Sequence, residues 1–203
     1  MELLWVRHAE PERIAPGTGV RADPALTARG TEQAQRLADW LAFEPIDAIV
    51  CSPLQRAVAT AAPISAGCGV EIEIVDDLIE YDNNSDHYIP MEEMRLNKDD
   101  RWQAMVDGRW DEFGADLPEV FRARIDAVTT ALVERFPGKR IVAVCHGGVI
   151  NVFLAVVLGL DRNLWFEPDY TSINRVAAAR TGERSLLTLN ETAHLTARKE
   201  VPR

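Results

Sequence analysis

Short apolar runs alternate with amphipathic stretches along most of this chain, and the spacing predicts strands alternating with helices. "ELLWV", Glu2 to Val6, predicts a short buried strand, and the Pro/Gly-rich "PERIAPGTGVRADP" after it predicts a loop. In "TEQAQRLADWLAF", Ala34, Leu37, Ala38 and Leu41 recur at helical spacing behind Thr27 and Gly30, which predicts an amphipathic helix. "IDAIV" predicts a second strand. "LQRAVATAAPIS" predicts a helix entered just after Pro53 and ending near Pro63, and the alternating "VEIEIV" predicts a third strand. Farther on, "VFRARIDAVTTALVERF" reads as a long helix closed by "PGK", "RIVAVC" as a strand, and "GGVINVFLAVVLGL" as an apolar core helix. "INRVAAAR" and "RSLLTLN" around "TGE" read as a hairpin, whose outer edge is open to pairing with a second copy in a homodimer. This alternation predicts an α/β fold: a mainly parallel sheet with helices on both faces and an antiparallel edge strand. Residues 76–119 break the pattern. They are rich in Asp, Glu, Asn and Trp with weak periodicity, and predict a small cap insertion with short helices inside a single domain spanning 1–203.

Composition narrows the function classes. The chain has 203 residues, long enough for one domain with a sizeable core. The net charge of −10 argues against nucleic acid or an anionic membrane as partner, yet leaves room for a small anionic substrate held by a few local arginines. No apolar run is long enough to span a bilayer, and "MELLWVRHAE" carries no leader pattern. Three cysteines without metal-ligand spacing fit a reduced, cytoplasmic setting.

"VCSPLQRA" places Arg56 shortly after Cys51. A cysteine-phosphatase loop needs five residues between the two. Here there are four, none of them glycine, and Pro53 removes an amide the cradle would need. Cys51 therefore reads as a small apolar residue at a strand end. Arg56 has another explanation, since ligands in open parallel sheets bind outside the carboxyl ends of the strands. Arg7 and His8 follow the first strand, His146 follows "RIVAVC", and Glu80 follows "VEIEIV". Any one of these alone reads equally well as a surface or capping group. Together, two arginines, two histidines and a carboxylate at one sheet edge suit phosphoryl transfer. Guanidinium forks neutralise the equatorial oxygens, an imidazole attacks phosphorus, and a carboxylic acid protonates the leaving oxygen. No metal or other cofactor is called for.

These segments resemble the histidine phosphatase superfamily, also called the phosphoglycerate mutase-like family, nearly end to end. "VRHAE" is similar to its Arg-His-Gly signature, with Ala9 for glycine. "DPALTARGTEQAQRLADWL", "CSPLQRAVATA", "LIEYD", "VCHGGVI" and "LNETAHL" match its further motifs in order. The resemblance implies a three-layer α/β/α sandwich with His8 as nucleophile, Arg7, Arg56 and His146 as the phosphate pocket, and Glu80 as acid and then base. Asp77 and Asp82 are rival acids. Arg21 and Trp102 are candidate substrate contacts, although Trp102 and Trp110 equally suit the cap's own core, and Arg21 plain surface. The substrate implied is a small phosphorylated metabolite. The alternatives are a cofactor-dependent phosphoglycerate mutase and a non-catalytic phosphate-binding protein. Against the mutase, Ile14 stands where mutases carry Asn, and Arg95, Lys98, Arg101 and Arg109 lie isolated among acidic residues.

Overall fold

The structure, a computed structural model, describes residues 1–17, 19–110 and 115–196. Six strands, β1 (Glu2–Arg7), β2 (Ala48–Cys51), β3 (Ile72–Ile74), β4 (Arg140–Cys145), β5 (Ile173–Ala178) and β6 (Arg184–Glu191), form one sheet in the order β3-β2-β4-β1-β5-β6. The first four are mutually parallel, and β5 runs antiparallel to β1 and to the edge strand β6. Glu2 pairs with Arg140 and Arg7 with Cys145, so β1 and β4 end level and deliver His8 and His146 side by side.

The central strands β1, β2 and β4 are apolar along most of their length because both faces are covered, and alternate residues serve opposite layers. Leu3, Trp5, Ile141, Ala143 and Cys145 pack with α5 (Pro118–Arg135) and α6 (Gly147–Leu158). Leu4, Val6, Val142 and Val144 pack with α1 (Ala28–Leu41) and α2 (Gln55–Cys68). The result is the α/β/α sandwich expected from sequence. Trp5 stacks on Phe153 at 4.6 Å and is fully buried. Cutting such a residue back to alanine costs about 3–5 kcal/mol.

Two elements differ from their sequence reading. α2 does not stop at Pro63 but continues to Cys68, where Gly69 at φ 73° takes the left-handed cap and its N–H donates to the Ser65 carbonyl at 2.8 Å. β3 is only three residues long, pairs with β2 alone at the sheet edge, and has Glu73 ion-paired with Arg135.

Entry to α1 explains another signal. Thr27 Oγ1 accepts from the Gly30 amide at 2.8 Å, and a Cβ on Gly30 would stand 2.0 Å from the Glu10 carbonyl oxygen. Between β3 and α5 lie a 3-10 turn at Asp76–Leu78 and the short helices α3 (Met91–Leu96) and α4 (Asp100–Val106). Residues 111–114 of this stretch lie outside the described residues. The segment anchors through Met94, Met105 and Trp110 in the α5/α6-side core. An isolated Ile14–Tyr88 bridge ties it to the loop after β1. Among the described residues no helix is long and apolar enough to cross a membrane.

Candidate active site

The strand ends set the site. His8 follows β1 directly, and its amide donates to the Cys145 carbonyl of β4 at 2.9 Å. Nδ1 lies 2.8 Å from the Ala9 carbonyl, an acceptor, so Nδ1 carries the proton and Nε2 the lone pair. Burial, then the charges of Arg56 and Arg7, push His8 well below the ordinary histidine range, so the ring is neutral at pH 7. Ala9, fully buried, adopts no left-handed φ, and its amide donates to Thr60 Oγ1 at 2.9 Å. Its methyl is therefore accommodated without strain.

His146 caps α6 by position, and its ring centroid is 5.1 Å from that of His8. Its Nε2 is 2.6 Å from Ser52 Oγ, which also accepts from the Leu54 amide at 3.4 Å. With that hydroxyl assigned as donor to Nε2, the His146 proton sits on Nδ1. Among the described residues, His146 Nδ1 and Arg7 Nε are buried without a hydrogen-bond partner. Burial, Arg56 and His8 also push His146 well below the ordinary range.

Arg56 opens the first turn of α2 and is 2% exposed. Its Nε donates to His8 Nε2 at 3.3 Å, and its Nη1 is 3.8 Å from Asp23. Arg7 ends β1. Its Nη1 donates to the Pro168 carbonyl at 2.6 Å, and its guanidinium lies over the Tyr170 ring at 4.0 Å. Glu80 is 8% exposed and faces the N-terminus of α6. Its Oε2 accepts from the Gly148 amide at 2.9 Å and its Oε1 from the Tyr81 amide at 3.1 Å. Burial and neighbouring Asp82 outweigh these two bonds and raise the carboxyl to about 7. Gly148 permits the arrangement, since a Cβ there would come 2.4 Å from Glu80 Oε1.

A cavity runs along this group, lined by Arg7, Arg56, Glu80, Tyr88, Met91 and Phe166 among others. Neither imidazole borders it, and Arg56 covers the His8 lone pair. The five residues predicted from sequence are therefore brought together. Arg21 is exposed, and Trp102 packs against the α5/α6-side core instead of bordering the cavity. Of the rival acids, Asp77 is exposed, while Asp82 lines the cavity beside Glu80. Cys51 is fully buried and burial pushes its thiol up to about 12, which closes the nucleophile reading. Sequence reasoning missed Ser52, Thr60, Tyr88, Glu92 and Tyr170. Ser52 was the most accessible of these, as the first polar residue past β2.

Among the described residues, no three His, Cys, Asp or Glu side chains are grouped so as to hold a metal ion. Two neutral imidazoles, two buried guanidinium groups and a carboxyl poised near neutrality are gathered where an anion could be held. Known proteins agree with that chemistry. The profile of the histidine phosphatase superfamily (branch 1) matches residues 3–192. Phosphoserine phosphatase 1 of Hydrogenobacter thermophilus is 30% identical over 202 residues, covering 96% of this chain and 94% of that protein. The adenosylcobalamin/alpha-ribazole phosphatase of Escherichia coli is 28% identical over 174 residues, covering 79% of this chain and 80% of that one. Phosphoserine phosphatase of Entamoeba histolytica, solved with 3-phosphoglyceric acid, shares the fold with a TM-score of 0.73 at 24% identity, over 96% of this chain and 98% of that one. The chain belongs to the histidine phosphatase superfamily and is a phosphomonoester-hydrolysing enzyme.

Proposed function

We propose that the protein hydrolyses a small phosphorylated metabolite without a metal, through a phosphohistidine on His8 Nε2. The observation that carries this reading is the pair of buried donors, Arg7 Nε and His146 Nδ1, without a partner beside a neutral imidazole whose Nε2 holds a lone pair. A phosphoryl group drawing off Arg56 would take up those donors and expose Nε2 at the same time. Nε2 then attacks phosphorus, the ester P–O bond breaks, and Glu80 gives its proton to the leaving oxygen. Water attacks the phosphohistidine in the second half, Glu80 takes its proton, and the P–N bond breaks to release orthophosphate. A carboxyl near 7 suits both halves. Residues 76–119 act as a cap, with Tyr88, Met91 and Met94 against the body of the substrate.

Hydrolysis is favoured over mutase turnover by the state of the cap's basic residues. Arg95, Lys98, Arg101 and Arg109 all lie outside the lining of the cavity beside Arg7 and Glu80, so among the described residues the cap brings no cation there for a second phosphate. The test is phosphate release from a panel of phosphomonoesters in EDTA, with phosphoserine, alpha-ribazole phosphate and 3-phosphoglycerate included. Turnover by the wild type and none by His8→Ala is the expected result. Activity that requires added magnesium or zinc, or that survives in His8→Ala, overturns the reading.

A further inference from the structure

The counter-charge of Arg7 comes from outside the sheet. Glu92, in the first turn of α3, brings Oε2 to 3.4 Å from Arg7 Nη2, with the two side chains 32% and 8% exposed. That is loose for a charge-assisted hydrogen bond, which closes to about 2.7–2.9 Å at its best. Burial pushes the Glu92 carboxyl up, but Arg7 and the Tyr170 hydroxyl outweigh it and hold the group below the ordinary range, so it is ionised at neutral pH. A phosphate dianion held by Arg7 would stand beside this carboxylate as a like charge in a poorly hydrated site. Two buried guanidinium groups would otherwise grip orthophosphate as firmly as substrate, and a tightly held product slows turnover.

Resting on the phosphatase reading above, we propose that Glu92 competes with phosphate for Arg7, weakening the hold on orthophosphate and so speeding product release. It is a positioning residue that acts through Arg7. A purely structural Glu92 would neutralise Arg7 for folding and leave phosphate affinity unimproved by its loss.

The experiment is calorimetric titration of the full chain with orthophosphate at pH 7, which needs no turnover, with melting temperatures read alongside. Glu92→Gln should tighten the dissociation constant by about tenfold, a surface-discounted like-charge effect. Glu93→Gln removes the same charge from the same helix, but its carboxylate pairs with Arg13, so it should leave the constant unchanged. Glu92→Asp keeps the charge at shorter reach and should retain the weak affinity even where it loses as much stability as Glu92→Gln. An unchanged or weaker constant in Glu92→Gln overturns the proposal, as does equal tightening in Glu93→Gln or in Glu92→Asp. Absence of orthophosphate binding by the wild type and every variant overturns the phosphate-site reading itself, and this role with it.

Discussion

The histidine side of the site and the carboxylate side are built differently. His8 and His146 leave adjacent parallel strands whose registers end level, both are buried, and their partners, the Ala9 carbonyl and Ser52, lie just past the ends of β1 and β2. Glu80, Asp82 and Glu92 come from the stretch between β3 and α5, outside the sheet, and two of them reach back to it: Glu80 to the α6 N-terminus and Glu92 to Arg7. The contrast teaches that one side supplies fixed geometry and the other supplies adjustable charge. Loss on the first side should abolish chemistry, and loss on the second should retune it.

The sharpest break is His8→Ala. Without the attacking nitrogen, phosphate release should fall by on the order of 10⁴-fold or more, with the melting temperature little changed, as measured by steady-state assay and calorimetry. Next is Gly148→Ala, on the seam between the two sides. Its methyl would press on Glu80 Oε1 and the Tyr81 ring, so it should cost about 1–3 kcal/mol in stability, read by denaturant unfolding. About 10²-fold in turnover should go with it as the acid moves.

The pH behaviour sharpens the comparison further. The folded Glu80 carboxyl near 7 lies above its ordinary 4.5, so the folded state holds that proton more tightly and stability falls as pH rises through this window. Glu80→Gln should therefore be more stable than wild type by about 1–3 kcal/mol at pH 8, with no gain at pH 4. Turnover of alkyl phosphates by the wild type should decline above pH 7. In kcat/KM, which reports the first half-reaction alone, esters of acidic phenols, which leave without a proton, should be far less affected by Glu80→Gln. Equal loss on both ester types would remove the acid role from Glu80.

The smallest effect concerns the cap backbone. Lys98 is exposed at φ 53° between α3 and α4, so Lys98→Gly should raise stability by about 0.5–1 kcal/mol and leave turnover unchanged.

What the sequence disclosed follows the same division. Strands buried on both faces write themselves as apolar runs, and Arg7, His8, Arg56 and His146 lie within a few residues of where those runs stop. Glu80 was legible only as one of three neighbouring acids, because its choice over Asp77 depends on the Gly148 amide, far away in sequence. Glu92 and Tyr170 were invisible for a similar reason, since nothing local marks a glutamate in "PMEEMRL" as the partner of an arginine on β1. Pro63 misled in the other direction. A proline weakens one helical bond, but Ile64 beyond it is buried in the α1/α2-side core, and that burial carries the helix onward.

The place of β4 in the sheet has a consequence for how activity appears during folding. β4 lies between β1 and β2, which have no other common neighbour, and it brings His146 to a histidine that precedes it by more than half the chain. The first half of the polypeptide holds His8 and the two buried arginines, Arg7 and Arg56, yet lacks the wedge that brings His146 to them. Such non-local closure is slow relative to local helix formation. A chain released before residue 145 would carry Arg7, His8, Arg56 and Glu80 without His146, and the five come together only in a chain whose β4 has paired with β1 and β2.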